Sequence, residues 1–221
     1  MALGPDFQLR DVYNPTNVTD LAKRIKKIWA KFDQNAFKKA ILPTLNTLDF
    51  GERSALIRRS LEIHLPEDFR KAASILVDSL APELESESID ADWNSFINIP
   101  TAEYISYNGH DHFDTSMNAL YEITKRFSSE FSIRSFLDKD SKRALSLMKK
   151  WTRDKNMHVR RLVSEGSRPR LPLGMALRKF KKDPRPVIEL LELLKDDSEL
   201  YVRRSVANNL NDISKDNPIL S

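Results

Sequence analysis

The sequence predicts an all-α fold built from repeated helix pairs, on three observations. Only five of the 221 residues are glycine, and alternating β-branched runs are few, which argues against a sheet protein. Apolar residues recur at steps of three and four in many segments, the spacing of one helix face. A stretch beginning at Asp154 returns at Asp197, which is the signature of a repeat architecture.

The elements follow in order. Val18, Leu21, Ile25, Ile28, Trp29 and Phe32 share one face of a first helix, with Asn17 or Thr19 as its cap. Lys23, Lys26, Lys27 and Lys31 form a basic face on the same helix, read first as a solvated surface. Helices are expected at about 36–47, 52–64 and 67–80, the last two separated by Pro66, which suits a first turn better than a helix interior. Residues 81–100 read as an acidic connector, ordered in part by Trp93, Phe96 and Ile97 and closed by Pro100. Helices resume at about 116–127, 130–138, 142–152 and 156–165, with Asp114 or Thr115 capping the first of these. A Pro/Arg-rich loop, Gly166 to Gly174, precedes two more helices at about 185–195 and 199–211.

The repeat is the most informative feature. Asp154, Val159, Arg160, Arg161 and Val163 match Asp197, Val202, Arg203, Arg204 and Val206 at an offset of 43 residues. That period belongs to HEAT-type helix pairs, which bury their apolar faces only by stacking into a solenoid. The expected fold is therefore a HEAT-like solenoid, one domain over 1–221, with Val159, Leu162, Val163, Val202, Val206 and Leu210 facing neighbouring repeats.

Composition narrows the chemistry. The absence of cysteine excludes disulfides, cysteine-ligated zinc, iron–sulfur clusters and thiol nucleophiles, and suits a reducing cytoplasm. No run has the ~18–20 apolar residues of a membrane span, and the first residues lack the pattern of an export signal. No GxxxxGK[ST], GxGxxG or GxSxG motif occurs, so nucleotide hydrolysis, dinucleotide chemistry and the serine-hydrolase elbow find no support. His110, Asp111, His112 and Asp114 include metal-capable side chains, but their spacing fits no common zinc site and a loop is the better reading.

Charge is distributed unevenly. The net +4 is the sum of an acidic part, residues 1–140 with 17 basic and 22 acidic residues, and a basic part, residues 141–221 with 19 and 10. Such a split points the C-terminal part towards a polyanion, with a concave basic face tracking a phosphate backbone. Arg160 and Arg203 each follow an aspartate by six residues, and pairing across that turn competes with a DNA role. Arg161 and Arg204 have no such partner and are candidates for phosphate contact, as are Arg168 and Arg170 in the loop.

Four segments resemble a known family: Phe113 to Met117, Phe127 to Arg134, His158 to Pro172, and Tyr201 to Pro218. They are similar to the AlkC/AlkD superfamily of DNA alkylation repair glycosylases, nearest to the AlkC branch, with the likeness strong from about residue 112 onward. The resemblance implies hydrolytic excision of N-alkylated purines, chiefly 3-methyladenine, from duplex DNA held in a concave basic face. It implies no metal or organic cofactor, and we expect a monomer that needs no membrane. Matched residue by residue, Glu130 and Asp212 correspond to the family's active-site carboxylates and Glu165 to an acid at the same site. Phe131 and Leu173 are the substrate-binding candidates, and Lys215 joins the arginines as a DNA contact.

The chemistry suits carboxylates. An alkylated purine is already cationic and leaves without much acid assistance, whereas the sugar develops oxocarbenium character that a carboxylate stabilises. Other roles compete: a helix-dipole contact for Glu130, a C-terminal turn position for Asp212, and a salt bridge to Arg161, four residues earlier, for Glu165. Trp151 is placed in the core. Two departures stand out. Leu173 occupies a position where the family usually has tryptophan, so no cation–π attraction is available there. The chain also stops at Ser221 where family members usually continue, implying a short or truncated member. These departures motivate the alternative, a non-catalytic HEAT module that binds DNA or a protein.

Overall fold

The computed structural model describes residues 7–84 and 93–218. Among them are twelve α-helices and no strand, and no helix is long and apolar enough to cross a membrane. The chain divides into two compact units, Met1–Phe127 and Ser128–Ser221.

Unit 1 holds α1 (Pro15–Ile28), α2 (Gln34–Leu45), α3 (Phe50–His64), α4 (Phe69–Asp78), α5 (Asn98–Asn108) and α6 (Phe113–Thr124). Short polar residues start most of them, because a side-chain oxygen satisfies otherwise orphaned N–H groups. Asn14 accepts from the Thr16 and Asn17 amides, Asp33 from Asn35 and Ala36, and Asp68 from Lys71. Asp49 and Glu52 form a reciprocal capping box. The cap of α1 is thus Asn14, not Asn17 or Thr19, since Pro15 already occupies the first turn.

Val18, Leu21, Ala22 and Ile25 are buried as their spacing predicts, but Ile28 is 42% exposed. The chain leaves helical geometry at Trp29 (φ −126°, ψ 99°), so the three-and-four spacing no longer sets the face beyond that point. Phe32 is buried by a different route, packing its ring 5.3 Å from Phe37. Buried Arg53 ties the N-terminal segment to α3, donating to the carbonyls of Leu48, Arg10 and Tyr13 at 2.9–3.0 Å.

Part of the expected acidic connector, residues 85–92, lies outside the described residues. The remainder is more ordered than expected. A 3-10 turn over Trp93–Ile97 leads into α5, whose Pro100 sits in the first turn, where the lost donor costs little. Sequence periodicity misses α5 because it is buried almost all round. Ile99, Ala102, Tyr104 and Ile105 are buried on several sides, together with Asn98, Thr101 and Ser106, leaving no polar face to mark a period. Helix α6 begins at Phe113 with no side-chain cap, so Asp114 lies in its first turn and does not cap it.

Unit 2 holds α7 (Ile133–Lys139), α8 (Ser141–Trp151), α9 (Met157–Gly166), α10 (Arg178–Lys182), α11 (Arg185–Glu192) and α12 (Leu200–Asp216). The pairs α8/α9 and α11/α12 are the two copies of the repeat. Helices α9 and α12 pack face to face, and α11 packs on both α8 and α9. Val159, Leu162, Val163, Val202 and Val206 are buried as expected, and Trp151 is in the core. Leu210 is not: it is 43% exposed. The inward face of α12 is instead completed by buried Asn209, which donates to the Ser164 carbonyl at 2.7 Å, and by Asp212.

Gly109 marks the tightest approach in unit 1. A Cβ there would meet Ser116 Oγ at 2.1 Å, Phe69 Cζ at 2.5 Å and the Ile105 carbonyl oxygen at 2.6 Å. Gly109→Ala is expected to destabilise the protein by about 1–3 kcal/mol through overpacking. Denaturant titration checks this, and an unchanged midpoint would contradict the packing.

Candidate active site

The three carboxylates named from sequence come together in unit 2. They belong to separate elements: Glu130 to the turn before α7, Glu165 to the last turn of α9, and Asp212 to the inward face of α12. Two arginines join them. Arg161 donates to Glu130 Oε2 at 2.7 Å and lies 3.8 Å from Glu165 Oε2. Arg168 donates to Glu165 Oε1 at 2.6 Å and to Asp212 Oδ2 at 2.7 Å. Lys215 closes the line, 3.3 Å from Asp212 Oδ1. The order is acid, arginine, acid, arginine, acid, lysine.

Each oxygen has a distinct environment. Both Glu165 oxygens are committed, Oε1 to Arg168 and Oε2 to the Ser205 hydroxyl at 2.6 Å. Asp212 shares its oxygens between Arg168 and Lys215. Glu130 Oε2 accepts from both Ser128 Oγ and Arg161, while Oε1 has no hydrogen-bond partner among the described residues. Side-chain exposure falls in the same direction: 15% for Glu130, 7% for Glu165 and 4% for Asp212. Glu130 is therefore the most accessible acid, with one oxygen free to meet a ligand.

The guanidinium groups answer to this field. Burial works against the Arg161 cation, but Glu130, Tyr201 and Glu165 more than reverse it, so its pKa rises. Burial opposes the Arg168 cation as well and is outweighed by its bonds to Asp212 and Glu165. The Tyr201 ring lies 5.1 Å below the Arg161 guanidinium, and burial pushes its hydroxyl up to about 12.

The arginines and lysine expected to contact DNA divide into two groups. Arg161 lies between Glu130 and Glu165, so the expectation that it lacks a partner is corrected. Arg160 forms a bidentate pair with Asp197 of the next repeat, at 2.6 and 2.9 Å, and donates to the Asp154 carbonyl oxygen at 2.9 Å. Arg203 makes the matching contacts to the carbonyls of Asp197 and Ser198. Arg168 is spent on the carboxylates, and Arg170 pairs with Asp216 at 2.6 and 2.7 Å while remaining half-exposed. Arg204 is exposed and forms no ion pair among the described residues, and Lys215 is half-exposed. Glu165 does lie near Arg161, but its shorter bond is to Arg168 three residues on.

Phe131 is partly buried in the turn beside Glu130. Leu173 stands at the tip of the loop between α9 and α10, 86% exposed, with φ 59°. It is the sole non-glycine residue with positive φ among the described residues, a conformation that is costly for leucine. Sequence reasoning gave no role to Tyr201, Ser205 or Asn209. The one available signal was that Tyr201 occupies the repeat position of His158, whose ring it meets edge-on at 5.5 Å.

A stack of helix pairs holding a line of acids and arginines, of which Glu165 and Asp212 are buried, defines a helical-repeat protein with a charged site at its repeat interface. No family model matches the chain. The chain is similar to a solved structure of Pseudomonas fluorescens alkylpurine DNA glycosylase AlkC bound to DNA containing an abasic site analog. The identity is 38% and the TM-score 0.85, over 96% of this chain and 56% of that one. It is also 38% identical over 213 residues to the uncharacterized protein YhaZ of Bacillus subtilis (strain 168), covering 96% of this chain and 57% of the relative. The chain thus spans somewhat more than half the length of the proteins it matches. Over that span the chain is similar to AlkC, in line with the resemblance that its motifs carry.

The Arg160–Asp197 pair gives the site's supporting interface a pH dependence. Burial raises the Asp197 carboxyl and the bonds from Arg160 lower it, with a net fall below its ordinary value. A lowered folded-state pKa contributes stability above the unfolded value, and this is lost as pH falls through the folded value. Asp197→Asn should cost about 3 kcal/mol at pH 7. The gap from wild type should shrink as pH falls below about 4. Denaturant titrations at pH 7 and pH 3 check this, and a gap that is constant with pH would contradict it.

Proposed function

We propose that the chain is the catalytic part of a DNA repair glycosylase. It would hydrolyse the N-glycosidic bond of alkylated purines in duplex DNA, chiefly 3-methyladenine, as a cytoplasmic monomer without a metal or organic cofactor. The observation that carries the proposal is the convergence of Glu130, Glu165 and Asp212 on Arg161 and Arg168. The likeness to the DNA-bound AlkC supports it.

In this proposal the electron pair of the glycosidic bond leaves with the base, which starts cationic and departs neutral. Positive charge develops on the sugar, and the line of carboxylates lies ready to stabilise it. Water adds its oxygen to C1′ and gives its proton to a carboxylate. Glu130 is assigned to that water because its Oε1 is unengaged and its side chain is the most exposed of the three. Asp212 stabilises the sugar cation. Glu165, with both oxygens bonded, keeps the two arginines in register. Arg204, Lys215 and Arg170 are the cations accessible to phosphates, and Leu173 with Phe131 meets the base region.

Incubation of the full chain with methylated duplex DNA should release 3-methyladenine. Glu130→Gln and Asp212→Asn should each lower turnover about 100-fold or more while leaving DNA affinity largely intact. Arg204→Ala should weaken binding across sequences and reduce the salt slope by about one contact's worth. One observation favours a second reading, a DNA-binding module without catalysis: Leu173 stands where the family usually has tryptophan. Salt-sensitive binding without base release at high protein concentration would select that reading.

A further inference from the structure

Arg134, in α7, is among the largest fully buried side chains, with no exposed surface. It forms no ion pair among the described residues. Its donors go instead to one stretch of backbone: Nε to the Met175 carbonyl at 2.6 Å, and Nη1 to the carbonyls of Gly166 and Arg168 at 3.0 and 2.7 Å. Nη2 is buried with no acceptor. These three carbonyls span the loop that carries Arg168 into the acids and Leu173 to its exposed tip.

Burying a guanidinium without a carboxylate partner is costly, and hydrogen bonds to backbone oxygens repay only part of it. Burial and the neighbouring Arg168 cation push Arg134 down to about 10, against the pull of Asp212, Glu165 and Glu130. The same three acids that Arg161 and Arg168 bind therefore also favour the Arg134 charge, through space. The loop's own backbone bonds are few: Arg168 to Glu165 at 3.4 Å, Gly174 to Leu171 at 3.1 Å and Leu177 to Pro169 at 3.2 Å. Side chains tie its first part, Arg168 to Glu165 and Asp212 and Arg170 to Asp216, whereas Arg134 reaches from α7 to both of its ends. Gly166 leaves no room for adjustment, since a Cβ there would meet Ile133 Cγ2, one residue before Arg134, at 2.7 Å.

We propose that Arg134 is the positioning residue of the site: it locks the 166–175 segment to α7, and so sets Arg168 between Glu165 and Asp212 and Leu173 at the loop tip. This rests on the glycosylase reading for its consequence in turnover, but not for the lock itself. Arg53 in unit 1 supplies the contrast. It too donates to three backbone carbonyls, yet the nearby acid is Asp11 alone, at 3.8 Å, and no candidate site residue hangs from the backbone it holds. It is a clamp of structure only, and serves as the control.

The test combines amide hydrogen exchange with single-turnover base release on the full chain, comparing wild type, Arg134→Lys, Arg134→Gln and Arg53→Lys. In both Arg134 variants the amides of Gly174 and Leu177 should exchange about tenfold faster or more, with the α12 amides unchanged. Release should slow at least tenfold while affinity for abasic-site DNA stays within about threefold. Arg53→Lys should alter neither the loop amides nor the release rate. Unchanged loop exchange in the Arg134 variants would overturn the proposal, as would faster exchange with wild-type turnover. Faster exchange with no release even by wild type would support the lock and remove the glycosylase reading instead. Should neither Arg134 variant fold, native-state exchange of wild type in rising denaturant decides: the loop and α7 should open as one unit, and independent opening would overturn the proposal.

Discussion

Two largely enclosed arginines beside three acids set the terms for the C-terminal part of this protein. A buried charge is tolerated only when it is paired and hydrogen-bonded. Arg161 and Arg168 meet that condition by alternating with Glu130, Glu165 and Asp212. Neither arginine is satisfied by α9 and its C-terminal end alone. Arg161 needs the turn before α7, and Arg168 needs α12. The charge line is therefore also a tertiary restraint, joining three elements at the level of single hydrogen bonds.

The repeat supplies the frame that makes this possible. Arg160 reaches Asp197 of the following pair, Asn209 binds the end of α9, and Ser205 holds the second oxygen of Glu165. Such contacts fix the register between α9 and α12 more narrowly than apolar packing does, because each has a direction as well as a distance. Under the proposed function, carboxylates positioned in this way would need little reorganisation to face a developing sugar cation, which is where preorganised charge contributes most to catalysis.

Much of this was legible in the sequence, and the failures have physical causes. Helices with one apolar face, such as α1, α9 and α12, announce themselves by period. Helix α5 does not, since burial on all sides removes the contrast that periodicity measures. Motif matching picked out Glu130, Glu165 and Asp212, but their joining through Arg161 and Arg168 is a fact of tertiary structure. The repeat makes Arg161 and Arg204 equivalent, and the structure separates them. Glu130 and Tyr201, contributed by other elements, enclose Arg161, while Arg204 stays exposed. Arg134 escaped notice for a related reason, because its partners are carbonyl oxygens, which no side-chain pattern records.

The proposed chemistry depends on the acids and arginines acting as one coupled unit. Its most direct test is a double-mutant cycle of Glu130→Gln and Asp212→Asn on single-turnover release of 3-methyladenine by the full chain. The two residues do not touch; they are linked only through Arg161, Glu165 and Arg168. A coupled site predicts that the double variant departs from additivity by more than about 1 kcal/mol. Losses that add to within about 0.5 kcal/mol would contradict it, as would the absence of release by the wild-type chain.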